Sequence, residues 1–496
     1  MIYPVHIAPP CVLVLLGTGD LVKRKLMPAL FNLHQANRLP ENFAILACGL
    51  DQWEEDSFRN IMLSSCTEAL QADLPKADWL TFANRLYYQS SNFSEAEAYL
   101  RIRERLADID ITANTQGNRL FFMATFPSLY ESIVSNLGAA DLSNCEADGP
   151  FTRLMVEKPF GRNLVSAAAL NATLHGVFKK KQIFLIDHYL GKETVQNLLV
   201  LRFANSIFEP LWTRQHIDYI EIHAAETIGI GRRGAYYEEA GILRDMVQNH
   251  LLELVSLVAM EPPLSFTADD VRDKKVEVLR ALRPIRADLA LDDVVLGQYG
   301  PSPDGQNPGY RAEPGVALDS HTPTFAAMRV FVDNWRWQGV PFYLRTGKRL
   351  SSQRTEVVVH FLPVPYSLFG NETEANKLKA NRLILSIQPT ESVQLVFGAK
   401  IPGTTLQVQQ ARMHFGFEGE FTEQTHSPYE RLLLDALRGD QLLFARADGI
   451  EAAWNFVDPI IEAWQNAELP EPFPNYFGGS DGPLSANQLM RDRRSR

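Results

Sequence analysis

Residues 11 to 16 read CVLVLL, a run without a single polar position. A half-buried strand alternates, so an unbroken apolar run of this length predicts a strand covered on both faces, as in the interior of a parallel sheet. The residues that follow, GTGDLVKRKLMPALFNLHQAN, set Leu21, Leu26, Leu30, Phe31 and Leu33 at helical spacing. Strand, glycine turn and helix are therefore predicted in succession. Further strands are predicted at 43–48 (FAILAC, ending at Gly49), 120–124 (LFFMA, followed by Pro127), 153–156 (RLMV, running into Glu157-Lys158-Pro159) and 182–186 (QIFLI, running into Asp187-His188-Tyr189). Strands alternating with helical stretches predict a Rossmann-like, doubly wound α/β domain on a parallel sheet, spanning residues 1–186.

Beyond Gly191 the pattern changes. Residues 193–203 read as a helix, and 241–260 (GILRDMVQNHLLELVSLVAM) as a long, mostly apolar one. From about residue 322 strands follow one another without a βαβ rhythm: TFAAMRVFVDN, FYLRTG, EVVVHFL, RLILSIQP, SVQLVFGA and TLQVQQARMHF. Helices are predicted again at 429–438 and 450–465, a Gly/Pro/Asp-rich loop at 299–314, and a polar, irregular tail from Gly478. Strands in a block flanked by helices predict a second, larger α+β domain, 187–496, on a mainly antiparallel sheet. No internal repeat or low-complexity tract interrupts this reading.

Composition narrows the function classes. The chain has 496 residues, with 48 Lys+Arg against 59 Asp+Glu and a formal charge of −11. Such a surface argues against a partner that is nucleic acid or anionic membrane, because attraction to polyphosphate needs a surplus of cations. Any anionic ligand must be held by a local cluster. The four cysteines form no CxxC pair and are too sparse for a disulfide framework, which fits a reducing compartment. No segment reaches the ~18 apolar residues of a membrane span, and the first apolar run lacks the flanks of a signal peptide. The expected location is the cytoplasm.

Several positions carry candidate chemistry. Gly17-Thr18-Gly19-Asp20-Leu21 lies between a buried strand and a helix, where a dinucleotide pyrophosphate rests on backbone N–H groups; the plainer reading is a tight turn. Lys23-Arg24-Lys25 add cations nearby, or a solvated face. His188 lies at the carboxyl end of a predicted inner strand, where open α/β sheets bind ligands, or it is a core histidine at a capped helix start. His250 falls on the apolar stripe of Leu243, Met246, Val247, Leu254 and Leu257. A histidine there is a satisfied core residue or a general base held by a carboxylate. Lys158 follows a strand, before a proline that stiffens the turn; it reaches a cofactor and a sugar hydroxyl, or only water. Arg345-Thr346-Gly347-Lys348-Arg349 similarly ends a strand with cations for a phosphate or for solvent.

Together these pieces resemble one family. Asp187-His188-Tyr189-Leu190-Gly191-Lys192-Glu193 resembles the signature of glucose-6-phosphate 1-dehydrogenases, and GTGDLVKRKL, VEKPFG, NLLVLRFAN, RDMVQNHLLELVSLVAMEPP, DNWRWQGVPFYLRTGKRL, Gln388-Pro389 and YERLLLDALRGD follow in the family's order. The resemblance covers nearly the whole chain. It implies oxidation of glucose 6-phosphate at C1 to 6-phosphogluconolactone, with hydride passing to NADP, the first step of the pentose phosphate pathway. By position, His250 resembles the general base and Asp187 its carboxylate partner. His188 and Lys192, with Tyr189 beside them, resemble the phosphate clamp, to which a helix starting after Gly191 adds its positive end. Glu226 and Asp245 resemble acceptors for sugar hydroxyls, Lys348 a further substrate cation, and Lys158 a bridge between sugar and nicotinamide. The resemblance implies no metal, and a homodimer or homotetramer formed through the second domain's sheet.

The departures fall mainly on the cofactor side. The family's loop reads Gly-Ala-Ser/Thr-Gly-Asp-Leu, whereas this chain reads Leu16-Gly17-Thr18-Gly19-Asp20-Leu21. Either Leu16 replaces the first glycine and crowds the turn, or one residue is missing and Gly17 takes that place. The arginine that meets a 2′-phosphate aligns with Leu50, followed by Asp51, which weakens the preference for NADP and admits NAD. Lys23, Arg24 or Arg59 are the candidate replacements. Leu185, Gln353 and Ser386 also stand where the family carries cations. Two rivals follow: a non-catalytic paralogue that keeps the sugar-phosphate pocket, and another sugar dehydrogenase with a similar cofactor domain.

Overall fold

The computed structural model describes residues 8–146, 149–285, 290–366, 368, 379–404, 406–416, 427–466 and 472–491. The chain divides into two compact units. The first comprises residues 1–191 together with two returning segments, 266–272 and 426–447; a single cut after residue 186 does not capture these returns.

The first unit is built on six parallel strands, β1 (Cys11–Leu16), β2 (Phe43–Gly49), β3 (Leu86–Ser90), β4 (Arg119–Met123), β5 (Thr152–Val156) and β6 (Ile183–Leu185). Their order among the described residues is β3-β2-β1-β4-β5-β6, and every pairing is parallel. Every residue of β1, β2 and β4 is buried, the physical reason their sequences run apolar without alternation apart from Arg119, which opens β4 and pairs with Asp110. The strand order reverses at β1, so its carboxyl end opens onto a topological switch point, the usual place for a ligand in an open α/β sheet. β3 (LYYQS) escapes a pattern search because it is short and only partly covered. The returning segment supplies the helix Pro428–Arg438, whose Ser427 hydroxyl caps its first turn. Arg153 on β5 donates to the last carbonyls of that helix, Ala436 at 2.8 Å and Leu437 at 2.6 Å.

The second unit is built on an eight-stranded sheet ordered β15-β14-β13-β12-β7-β11-β10-β8 among the described residues. These are β7 (Ile217–Ala225), β8 (Val294–Gly297), β10 (Phe325–Phe331), β11 (Pro341–Gly347), β12 (Arg354–Phe361), β13 (Arg382–Gln388), β14 (Ser392–Lys400) and β15 (Val408–Gly416). All pairings are antiparallel except β7 with β11, which is parallel. This is the mainly antiparallel sheet that the block of strands predicts. The central strand β7 has no counterpart in the predicted set, although IDYIEIHAA alternates. The loop predicted at 299–314 contains a two-residue strand, β9 (Tyr299–Gly300), paired in parallel with β16 (Tyr476–Phe477), and one 3₁₀ turn, Tyr310–Ala312.

The long helix predicted at 241–260 is broken. Gly241 takes φ 58° and ψ 177°, a left-handed conformation that an L side chain resists. The chain then runs in a π-helix, Leu243–Leu251, before α-helix resumes at Leu252–Ala259. Among the described residues no helix is long and apolar enough to cross a membrane. All four cysteines are free, and burial pushes the thiols of Cys11, Cys48 and Cys66 up to about 12.

Candidate functional site

The turn after β1 settles which glycine matters. Leu16 is the last residue of that strand, fully buried and paired with Cys48 and Met123. The turn begins at Gly17, whose N–H donates to the Cys48 carbonyl at 3.0 Å and whose φ is +135°. A Cβ on Gly17 would stand 2.2 Å from the Ala124 carbonyl oxygen, so only glycine fits. Gly17 thus makes the tight turn, and Leu16 crowds nothing. A Cβ on Gly19 would meet no atom within 4 Å, so its backbone lies open, as the approach of a pyrophosphate requires. Gly17, Thr18, Gly19, Asp20 and Leu21, at the switch point and leading into a helix, fit a dinucleotide.

The cations proposed for a 2′-phosphate are less available. Leu50 is 70% exposed and Asp51 follows it, also exposed. Arg59 donates to the Leu86 carbonyl and pairs with Glu55 and Asp56 at 3.2 and 2.9 Å. Arg24 lies 3.9 Å from Asp20 in an exposed pair. Lys23 sits over the Trp53 ring, 5.6 Å from its centroid.

At the carboxyl end of β6 the Asp187-His188-Tyr189 segment stays in the first unit. Asp187 is buried, and its Oδ1 accepts from the Tyr189 N–H at 2.9 Å. The His188 ring stands edge-on to Tyr189 at 5.2 Å and parallel to Tyr429 at 6.4 Å. Lys158 is half-buried in the turn after β5. Its neighbour Glu157 is buried and accepts the Tyr429 hydroxyl at 2.8 Å.

The remaining candidates belong to the second unit. Lys192 is buried and precedes the helix Glu193–Phe203. The open first turn expected of that helix is partly taken: Thr194 donates its N–H and hydroxyl to Glu391 at 2.9 and 2.8 Å. That carboxylate offsets the positive helix end, and burial raises the Glu391 carboxyl above its ordinary value.

Glu226, Asp245 and Lys348 come together. Lys348 leaves the end of β11, and its Nζ lies 2.7 Å from Glu226 and 2.9 Å from Asp245, above the Tyr237 ring at 5.9 Å. Burial alone would lower the ammonium's pKa, but the two carboxylates outweigh it and the value is raised. Burial, with Asp245 adding to it, also holds Tyr237 well above the ordinary phenol value. Arg345 and Arg349, grouped with Lys348 by sequence, are engaged elsewhere: Arg345 with Asn487 and the Asp481 carbonyl, Arg349 with Asn307 and Glu313. Nothing in the sequence marks Tyr237. Tyr429 and Glu157 stand inside conspicuous motifs but carry no chemical signal of their own.

His250 is 1% exposed, on the π-helix that also carries Asp245. In a π-helix the hydrogen bonds run from i to i+5, so residues five apart stand about one turn above one another. The α-helix predicted from the sequence would instead rotate positions 245 and 250 well apart. The winding therefore gives the imidazole and the Lys348-bound carboxylate the same side of one helix.

Comparison with known proteins covers both units. Residues 13–197 match the family model of the glucose-6-phosphate dehydrogenase NAD binding domain, and 199–496 that of the C-terminal domain. The chain is 41% identical to glucose-6-phosphate 1-dehydrogenase of Chlamydia pneumoniae, over 98% of this chain and 96% of the relative. It is 43% identical to that of Aggregatibacter actinomycetemcomitans, over 97% and 95%. A solved glucose-6-phosphate dehydrogenase in complex with its substrate glucose-6-phosphate superposes with a TM-score of 0.88 at 31% identity, covering 98% of each chain. The enzyme from Mycobacterium avium gives 0.82 at 35% identity, covering 97% of each.

Proposed function

The chain belongs to the glucose-6-phosphate dehydrogenase family, and from that membership we propose that it oxidises glucose 6-phosphate at C1 to 6-phosphoglucono-1,5-lactone. One observation supports this reading above the others. The π-helix sets a buried histidine one turn from a carboxylate held by Lys348, as a base that must meet one hydroxyl of a polyol needs.

In the proposed mechanism His250 takes the proton of the C1 hydroxyl. Asp187 orients the imidazole and stabilises the imidazolium that forms. Glu226 and Asp245 accept hydrogen bonds from other sugar hydroxyls. Lys348, bracketed by both, carries less net charge than the two acids together. It therefore acts chiefly by fixing those carboxylates, and the phosphate falls to His188, Tyr189 and Lys192. Lys158 completes the set between sugar and cofactor. A nicotinamide dinucleotide held along Gly17 to Leu21 supplies the hydride acceptor when bound.

The finer cofactor reading is NADP with a weakened preference, NAD being accepted, since no cation follows β2 and Lys23 lies over Trp53. The working form is a homodimer or homotetramer in the cytoplasm. His250→Asn tests the base: kcat falls ~10²- to 10⁴-fold with little change in affinity for glucose 6-phosphate. In a cycle with Asp187→Asn the double variant loses little more than the worse single one. Unchanged turnover in His250→Asn would remove the assignment.

A further inference from the structure

Glu157 is buried at the carboxyl end of β5, at a position to which no chemistry has been given. Its backbone is tied down, because the Tyr130 hydroxyl donates to the Glu157 carbonyl at 3.0 Å. Its carboxylate oxygen Oε1 accepts the Tyr429 hydroxyl at 2.8 Å. Tyr429 opens the helix Pro428–Arg438, and the ring so anchored lies parallel to the His188 imidazole, 9° between planes and 6.4 Å between centroids. The His188 ring also meets the Tyr189 ring, 5.2 Å between centroids at 72°. Tyr189 is in turn fixed by its N–H bond to Asp187. The imidazole thus meets two aromatic rings, and that of Tyr429 is fastened through its hydroxyl by an acid.

We propose that Glu157 is a positioning residue of the sugar-phosphate site, acting through Tyr429 to hold the His188 imidazole in the orientation that receives the phosphate. The inference rests on the reading of His188 as part of the phosphate clamp. A carboxyl hidden from water, met by the Tyr429 phenol and by the Lys158 backbone N–H, is an expensive arrangement unless something depends on it. Parallel and edge-on ring contacts at these separations are favourable and directional. A shift of the Tyr429 ring is therefore felt at His188.

The arrangement also carries a pH signature. The groups that face Glu157 are the Tyr429 hydroxyl from the returning helix, Lys158 from its own turn and Asp187 from the segment after β6. Burial pushes the Glu157 carboxyl up to about 7, against the Tyr429 hydrogen bond and the Lys158 charge, with Asp187 adding to the rise. The Tyr429 phenol is held far above its ordinary value by burial and by Glu157, so it remains a donor throughout. Below pH 7 Glu157 is neutral and accepts a weak bond. Above pH 7 it is ionised and accepts a charge-assisted one, which tightens the ring.

The test measures KM for glucose 6-phosphate between pH 6 and 8.5 in the wild-type protein and in Glu157→Gln, Tyr429→Phe and His188→Asn. Glu157→Gln keeps an acceptor but cannot titrate. It is expected to lose the component of log KM centred near pH 7 that lowers the wild-type value on the alkaline side. Tyr429→Phe removes the anchor, and should raise KM about five- to tenfold while kcat stays within about twofold. A purely structural role would lower thermal stability and leave the pH profile of KM in place. If His188→Asn leaves KM unchanged, the clamp reading fails. If His188→Asn raises KM while Tyr429→Phe and Glu157→Gln match the wild type at every pH, the clamp stands and the role of Glu157 is refuted.

Discussion

Replacing Lys348 by methionine isolates the cost of a buried charge cluster. The ammonium is 3% exposed, and its partners differ: the Asp245 side chain is 10% exposed and that of Glu226 26%. Methionine preserves most of the volume and removes the charge, so the effect is the loss of compensation for two acids. Glu226 can turn toward water, whereas Asp245 stays covered. Removing one partner of a buried pair costs about 3–5 kcal/mol, and most of it here falls on Asp245. Adding Asp245→Asn to Lys348→Met should recover about 2 kcal/mol, because the stranded charge is gone. The pH dependence follows from the direction of the shift. Lys348 is raised above its ordinary 10.5, so its contribution is fully present below that value and is lost as the pH rises through the folded-state value above it. Urea denaturation at pH 7 and 9 should therefore give the same loss, shrinking only beyond 10.5. A loss below about 1 kcal/mol, or one that disappears between pH 7 and 9, would refute the electrostatic reading of the cluster.

Three further outcomes are expected. Gly17→Ala forces a side chain into φ +135° and to within 2.2 Å of the Ala124 carbonyl; it should cost at least about 2 kcal/mol and abolish dinucleotide binding in a fluorescence titration. Burial would raise the Glu221 carboxyl, but the hydrogen bond with His223 at 2.9 Å and the close approach of His360 at 3.2 Å outweigh it and bring it down to about 2. Its contribution is present above the unfolded value near 4.5 and lost as pH falls toward 2. Acid unfolding should thus find Glu221→Gln destabilised at pH 5 but equal to wild type near pH 2. Steady-state kcat/KM with NADP and with NAD should differ by less than about tenfold, whereas a much larger preference would mean that Lys23 swings from Trp53 onto the 2′-phosphate.

The apolar run at 11–16 reads directly as β1 because a strand covered on both faces permits no polar residue. Partly covered elements were harder to read. β3 is only five residues long with three of them partly exposed, and β7, central to its sheet, alternates only over part of its length. The helix at 428–438 is legible as a helix, but its amphipathic face says only that it is buried, not that it returns to the first unit. At the site, the residue types in Asp187-His188-Tyr189 and around His250 announce chemistry. The break at Gly241 and the π-winding after it do not, since a single glycine in a helical pattern is usually tolerated. That winding is what gives Asp245 and His250 one side of the helix. The pairing of Lys348 with Glu226 and Asp245 joins positions over a hundred residues apart, beyond the reach of any local pattern.

The central proposal is that His250 removes the proton of the C1 hydroxyl of glucose 6-phosphate while the C1 hydrogen leaves as hydride for a nicotinamide. The most direct measurement is the rise in absorbance at about 340 nm when glucose 6-phosphate is added to the wild-type protein and to His250→Asn with NADP and with NAD. The account predicts steady reduction of both cofactors by the wild type, and a rate lower by at least ~10²-fold in the variant. Sugar-phosphate binding without any cofactor reduction by the wild-type protein would contradict it.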